Sequence, residues 1–190
     1  PTNFTTSNVI EVAINKAKID ADEFGWVYEG PYTYTGNEYQ VTFDVANSPV
    51  TVELTGELTA VNAGTYTANV AVSYDAANYE MVGTYENTLN WVINQAEINA
   101  DEFGWVYTGP YTYSGNEYEV AFETNSALVQ ANVSGTTSAV NAGTYTANVA
   151  LSYDEVNYKL VGAYEAQLVW VINKVQIDAR GTDVLSNQER

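Results

Sequence analysis

Residues 61–75 read VNAGTYTANVAVSYD, and nearly the same letters return at 140–154 as VNAGTYTANVALSYD. Apolar and aromatic side chains occupy every second position in the first copy, at Tyr66, Ala68, Val70, Val72 and Tyr74. A period of two is expected for a β-strand that buries one face. Both copies therefore predict a strand.

The same alternation occurs in three shorter runs, at residues 39–45, 50–54 and 89–93. The connection from the strand of Tyr32 and Tyr34 to the strand that starts at Tyr39 contains Gly36 and Asn37, which tolerate positive φ, and so predicts a β-hairpin. No window sustains a 3.6-residue apolar stripe over three turns. We therefore predict an all-β chain without a helix longer than one turn.

The chain contains two copies of one module. INKAKIDADEFGWVYEGPYTYTGNEY begins at Ile14 and is repeated with few changes as INQAEINADEFGWVYTGPYTYSGNEY from Ile93, an offset of 79 residues. A third start follows at Ile172. We predict a first module over 1–95, in which 1–13 correspond to the last strand of a preceding repeat, a second module over 96–174, and the start of a further unit or a tail over 175–190.

Composition limits the function. The 24 acidic and 6 basic residues give a net charge of −18, which disfavours nucleic acid and anionic lipid as partners. Cysteine and histidine are absent, and with them thiol nucleophiles, the usual general base and the commonest zinc ligands. No apolar run approaches the about 20 residues of a membrane helix. An acid pair such as Asp75 and Glu86 recurs in the second module. Repeat arrays duplicate structural residues as a rule and active sites rarely, so we expect no enzyme.

One motif has a recognisable form. Residues 62–68, NAGTYTA, resemble the immunoglobulin pattern Asp-x-Gly-x-Tyr-x-Cys, with Asn62 for the aspartate and Ala68 for the cysteine. In that fold the tyrosine, here Tyr66, is hydrogen-bonded back across the preceding connection. An ordinary turn before a strand explains the same seven residues equally well. The wider series, from INKA through YTYTGNEY and NAGTYTANVA to a Trp-x-Ile strand, resembles the tandem immunoglobulin-like (Ig-like) repeats of bacterial surface proteins.

The resemblance implies two tandem Ig-like β-sandwich domains and a mechanical function. Such repeats form the stalk or spacer of a secreted or surface-attached protein, typically an adhesin, and project a distal functional domain. The implied location is extracellular, at the bacterial cell surface. The implied partners are neighbouring repeats of the same chain, and a host or surface glycan or protein bound through other domains. The alternative is a module that binds a glycan or host protein through its own aromatic-rich loops.

The sharpest polar cluster follows the strand that joins the modules. Carboxylate and amide oxygens there are potential ligands of calcium, a cofactor that would stiffen the junction; they belong to Asp20, Asp22 and Glu23, and to Asn99, Asp101 and Glu102. The alternative is a solvated acidic turn.

Aromatic residues are concentrated just beyond this cluster. Exposed rings flanked by acids and amides stack on sugars, so these side chains are candidate ligand-binding residues: Trp26, Tyr28, Tyr32, Tyr34, Trp105, Tyr107, Tyr111 and Tyr113. Alternation along a strand buries about half of such residues, so packing in the core is the competing interpretation.

Overall fold

The computed structural model describes residues 1–5 and 7–180. Contacts divide the chain into two compact units, with the boundary between Asn94 and Gln95. The prediction of an all-β chain is confirmed, because the described residues form strands and two three-residue 3-10 turns, Ala21–Glu23 and Ala100–Glu102. In the same residues no helix is long and apolar enough to cross a bilayer. Most of the predicted tail, residues 181–190, lies outside the described residues.

The first unit contains ten strands among its described residues. Their bounds are β1 Ala17–Asp20, β2 Gly25–Val27, β3 Tyr32–Thr33, β4 Tyr39–Gln40, β5 Thr42–Asp44, β6 Val50–Gly56, β7 Thr59–Ala60, β8 Gly64–Tyr74, β9 Tyr79–Val82 and β10 Thr88–Asn94.

The second unit repeats this series. Its described strands are β11 Ala96–Asn99, β12 Gly104–Val106, β13 Tyr111–Thr112, β14 Tyr118–Glu119, β15 Ala121–Glu123, β16 Gln130–Gly135, β17 Ser138–Ala139, β18 Gly143–Ser152, β19 Tyr158–Val161 and β20 Gln167–Asn173.

A four-stranded sheet is the largest element of the first unit, with the order β3-β10-β8-β6. β8 is antiparallel to both β6 and β10, whereas the short β3 runs parallel to β10. Three two-stranded pairs complete the unit: β1 with β9 in parallel, and β2 with β5 and β4 with β7 antiparallel. The second unit has the same order and the same directions.

The predicted hairpin at residues 35–38 is wrong. β3 pairs with β10 and β4 with β7, so the connection passes from one sheet to another. Side chains join its two arms instead of a backbone ladder: the Tyr39 hydroxyl donates to the Thr33 carbonyl oxygen at 2.8 Å, and the rings of Tyr32 and Tyr39 stack 4.3 Å apart. Gly36, at φ 84°, provides the turn.

The single strand predicted over residues 39–45 is also wrong, since Val41 divides it into β4 and β5. The amide of Val41 donates to the Leu58 carbonyl oxygen at 2.9 Å, and its side chain is buried. This residue marks the point at which the chain changes its pairing partner from β7 to β2.

The core of the first unit consists of two clusters. One contains Val41, Ala68, Trp91 and Ile93, and the other contains Ile19, Ala21 and Phe24. The alternation predicted for β8 accounts for its contribution, because Ala68 and Val70 are buried while Thr67 and Ala71 are exposed. Trp91 is completely buried, and its indole N–H donates to the Glu57 carbonyl oxygen at 2.8 Å.

Candidate functional site

The acidic residues after β1 form a hydrogen-bonded turn that we call the acidic clasp, residues 20–23. The Asp20 carboxylate accepts from the Asp22 amide at 3.0 Å, which caps the 3-10 turn. The Asp22 Oδ1 atom in turn accepts from the Thr84 amide at 2.8 Å, just beyond β9. The clasp therefore ties the end of β1 to the end of its partner strand.

A glycine makes room for this carboxylate. Gly83 has φ 78°, and a Cβ atom placed on it would lie 2.6 Å from the Asp22 side-chain carboxyl carbon. Any larger residue would meet both backbone strain and a steric clash. A side chain at this position would therefore strain the backbone and displace the Asp22 carboxylate.

The second unit builds the same clasp with one change of residue. Asn99 replaces the capping aspartate and accepts from the Asp101 amide at 3.0 Å, and Asp101 accepts from the Ala163 amide at 2.8 Å. Gly162 lies against Asp101 as Gly83 does against Asp22. An amide oxygen serves the cap as well as a carboxylate, which fits a hydrogen-bonding function for this position.

Glu23 and Glu102 are exposed to solvent beside the clasps. Among the described residues, no group of three or more acidic, histidine or cysteine side chains is arranged to hold a metal ion. A surface cavity of about 240 Å³ is lined in part by Asn99, Glu102 and Asn125. Calcium binding stays a prediction, and the hydrogen bonds of the clasp are the observed role of Asp22 and Asp101.

The predicted aromatic residues of the first unit are half-buried, and their polar atoms bond within the unit. The Trp26 indole N–H donates to the Glu86 carbonyl oxygen at 3.0 Å. The Tyr28 hydroxyl oxygen accepts from the Val92 amide at 3.1 Å and so binds the backbone of β10. The side chains of Trp26 and Tyr28 pack against the core cluster around Trp91.

Tyr32 lies at the centre of this aromatic group. Its ring stacks on Tyr39 and meets Tyr28 and Trp91 edge-on, with centroid distances of 5.4 Å and 6.4 Å. Edge-to-face contacts of this kind are favourable for aromatic pairs. One face of the Tyr32 ring, which could otherwise stack on a sugar, is thus covered by Tyr39.

The second unit reproduces these contacts closely. Trp105 donates to the Glu165 carbonyl oxygen at 2.9 Å, and the Tyr107 hydroxyl accepts from the Val171 amide at 3.2 Å. Tyr111 stacks on Tyr118 with a centroid distance of 4.4 Å. Trp105, Tyr107 and Tyr111 thus make the same packing and hydrogen-bond contacts as Trp26, Tyr28 and Tyr32, and ligand binding by these residues stays a prediction.

Tyr113 differs from its counterpart Tyr34. Tyr34 is half-buried against the core, whereas the side chain of Tyr113 is 43% exposed. Tyr113 also lines a surface cavity of about 680 Å³, together with Ser114, Asn141, Ala142, Lys174, Val175 and Ile177. Of the predicted aromatic residues, Tyr113 is thus the most exposed.

Sequence reasoning missed a turn that is built around Asp75. Its carboxylate accepts from the Asn78 side-chain amide at 2.7 Å and from the Ala77 backbone amide at 3.0 Å, and these bonds hold the pKa of Asp75 below its ordinary 3.8. The Asn157 side chain lowers the pKa of Asp154 in the same way. The repeated spacing Asp-x-x-Asn was a signal that could have revealed the turn. This use of Asp75 is structural.

The comparisons with family models, curated proteins and solved structures return no match for this chain.

Proposed function

We propose that the chain is a pair of Ig-like β-sandwich modules that serve as the stalk or spacer of a bacterial cell-surface protein, with a separate domain as the functional end. One observation carries this proposal. Trp26, Tyr28 and Tyr32, which a binding face would offer, are instead bonded and packed within the module, and their counterparts in the second module make the same contacts. Repeated residues that serve the module's own fold are what a spacer array requires.

The corner at Tyr66 supports the Ig-like part of the proposal. Its hydroxyl donates to the Asn62 carbonyl oxygen at 2.6 Å, and Tyr145 donates to Asn141 at 2.7 Å. A tyrosine bonded to the backbone a few residues upstream is the corner of Ig-like sandwiches. The ring of Tyr66 also packs 4.8 Å from that of the buried Trp91.

The charge of the chain supports a repeated module. The 24 acidic and 6 basic residues give a net charge of −18. Modules of like charge repel one another, which keeps neighbouring arrays apart.

Pulling the chain by its two ends in a single-molecule instrument tests the mechanical role. We expect two unfolding events with equal length gains of roughly 250 Å each, the extended length of one module less its folded span. Extension without force peaks would contradict a role as a spacer under load. An extracellular location is tested separately, by surface labelling of the native bacterium with an antibody against these modules.

Ligand binding is the second candidate, and the exposure of Tyr113 at the 680 Å³ cavity favours it. An array of glycans, probed with the wild-type chain, is the direct test. Tyr113→Ala should abolish any signal that comes from this cavity, while Tyr34→Ala is the matched control in the other module. If no glycan on the array gives a signal, glycan binding is excluded and the spacer role is the remaining proposal.

A further inference from the structure

The parallel pair of β1 and β9 carries a charged residue on each strand, and the two modules carry these charges in opposite order. Lys18 lies opposite Glu80 in the first module, and Glu97 lies opposite Lys159 in the second. Lys18 and Glu97 are equivalent positions of the repeat, as are Glu80 and Lys159. Both members of the pair are thus reversed together.

The reversed pair is in contact. Lys159 Nζ lies 3.1 Å from Glu97 Oε1, with the two side chains 52% and 59% exposed. An exposed ion pair of this kind contributes little to stability. The order of the two charges, however, distinguishes one partner strand from another, because like charges directly opposite each other repel.

The surrounding residues hardly distinguish the partner strands at all. The buried Ile19 or Ile98 next to the charged residue and the parallel register are the same in both modules, and the clasps differ only in the capping residue, Asp20 or Asn99. A β1 strand that paired with β19 would therefore meet the same register and an apolar partner for Ile19, but a different charge opposite Lys18. Such exchange between similar units is a characteristic misfolding route of repeat proteins.

We propose that the reversed charge pair is a folding-specificity device, which directs each first strand to the β9-type strand of its own module. In the exchanged pairing Lys18 would meet Lys159, and Glu97 would meet Glu80. Opposite charges are thus replaced by like charges in both exchanged pairings, so the device disfavours β1 with β19 as well as β11 with β9. This is specificity through an unfavourable alternative, and it needs no large stabilisation of the correct one.

The test removes the reversal while it keeps opposite charges on the register partners of both modules. K18E/E80K gives the first module the charge order of the second, so both native pairs and both exchanged pairs become attractive. K18E/E80K/E97K/K159E reverses both modules and restores repulsion in the exchanged pairing. This quadruple variant is the matched control for the mere presence of new charges.

Exchange is detected through the residues before β1. Lys16 Nζ donates to the Ala76 carbonyl oxygen at 2.7 Å, and Gln95 Nε2 occupies the equivalent place beside the Glu155 carbonyl oxygen at 2.7 Å. K16C/E155C therefore places two thiols together only when β1 has paired with β19, and K16C/A76C reports the native pairing. Each reporter is combined with each charge variant, refolded from denaturant in the presence of a short bismaleimide, and analysed by peptide mass spectrometry.

We expect the exchanged crosslink to rise roughly threefold or more in K18E/E80K over the wild-type background, and to return to the wild-type level in the quadruple variant. The increase should shrink in about 1 M salt, where the Debye length is about 3 Å. Equal crosslinking in all three backgrounds would overturn the proposal, as would a quadruple variant that remains at the level of K18E/E80K. In K18E/E80K the native crosslink should fall as the exchanged crosslink rises, and a fall of the native crosslink without a rise of the exchanged one would count against the proposal.

Discussion

The hydroxyl oxygen of Tyr28 accepts a hydrogen bond from the backbone amide of Val92, and this bond joins residues 64 positions apart in the chain. The residue is one of those that the sequence marks as a candidate for ligand binding. Its hydroxyl instead completes the hydrogen bonding of β10 at a half-buried site. The position that looked functional is part of what holds the last strand in its sheet.

Tyr28→Phe tests this relationship. The substitution keeps the ring but leaves the partly buried Val92 amide without its partner, so we expect a loss of about 1–3 kcal/mol in the free energy of unfolding. Urea denaturation measures the loss, and hydrogen exchange should localise it to β10. Tyr113→Phe, at an exposed ring, is the control and should change stability little. Equal effects of the two variants would contradict the structural role of Tyr28.

Gly30→Ala should destabilise the first module through the same tyrosine. A Cβ atom at Gly30 would lie 2.1 Å from the Tyr28 ring, which is held by its hydrogen bond and by Tyr32. We expect a cost of about 1–3 kcal/mol for the forced shift, measured by thermal unfolding. Gly25→Ala has open space around the new methyl group and serves as the control. A larger effect at Gly25 would show that backbone freedom, and not the clash, sets the cost.

Asp22→Ala distinguishes the clasp from a calcium site. The variant removes the acceptor of the Thr84 amide, and we expect a loss of about 0.5–1.5 kcal/mol that is the same with and without calcium. Glu23→Ala changes the neighbouring exposed carboxylate and should have almost no effect. A rise in the melting temperature of the wild-type chain with added calcium, abolished in Asp22→Ala, would assign the cluster to the metal.

The turn at Asp75 predicts a specific pH dependence. Because the pKa of the folded carboxyl lies below its ordinary 3.8, its contribution to stability is complete above that value and is lost as the pH falls through the folded pKa. Asn78→Ala removes the largest cause and should raise the Asp75 pKa towards 3.8, as measured by carboxyl NMR titration. Asp154 is the internal control and should not move. An unchanged Asp75 pKa would show that the Asn78 hydrogen bond is not the cause.

Local sequence patterns predicted the positions of the strands well but their pairing partners poorly. The alternation over β8 matched its burial, because which face of a strand is buried is written in every second residue. The prediction of a hairpin after Tyr34 was wrong, because a turn sequence indicates that the chain changes direction but does not determine which strand the next segment pairs with. In the alternating pattern of residues 39–45, Val41 is likewise one more apolar position, although in the structure it divides β4 from β5.

The candidate sites show the same division. From its letters alone, the cluster at residues 20–23 is either a calcium site or a solvated acidic turn, but the hydrogen bond that Asp22 accepts comes from the Thr84 amide, which lies 62 positions away. The aromatic cluster was equally visible, and the alternation indicated that part of it is buried. Which rings stack, and which hydroxyl meets which amide, are contacts between distant segments that no local pattern contains.

By itself, the sequence determined that this protein is a tandem β-protein without cysteine or histidine chemistry, because composition, a 79-residue repeat and a two-residue period are properties of the letters. Only the tertiary structure decided that β3 joins β10, that Trp26 and Tyr28 bond to the backbone of their own module, and that Lys18 and Glu97 face partners of opposite charge. These features arise when strands distant in the chain come into register, and the free energy of that pairing belongs to both partners at once.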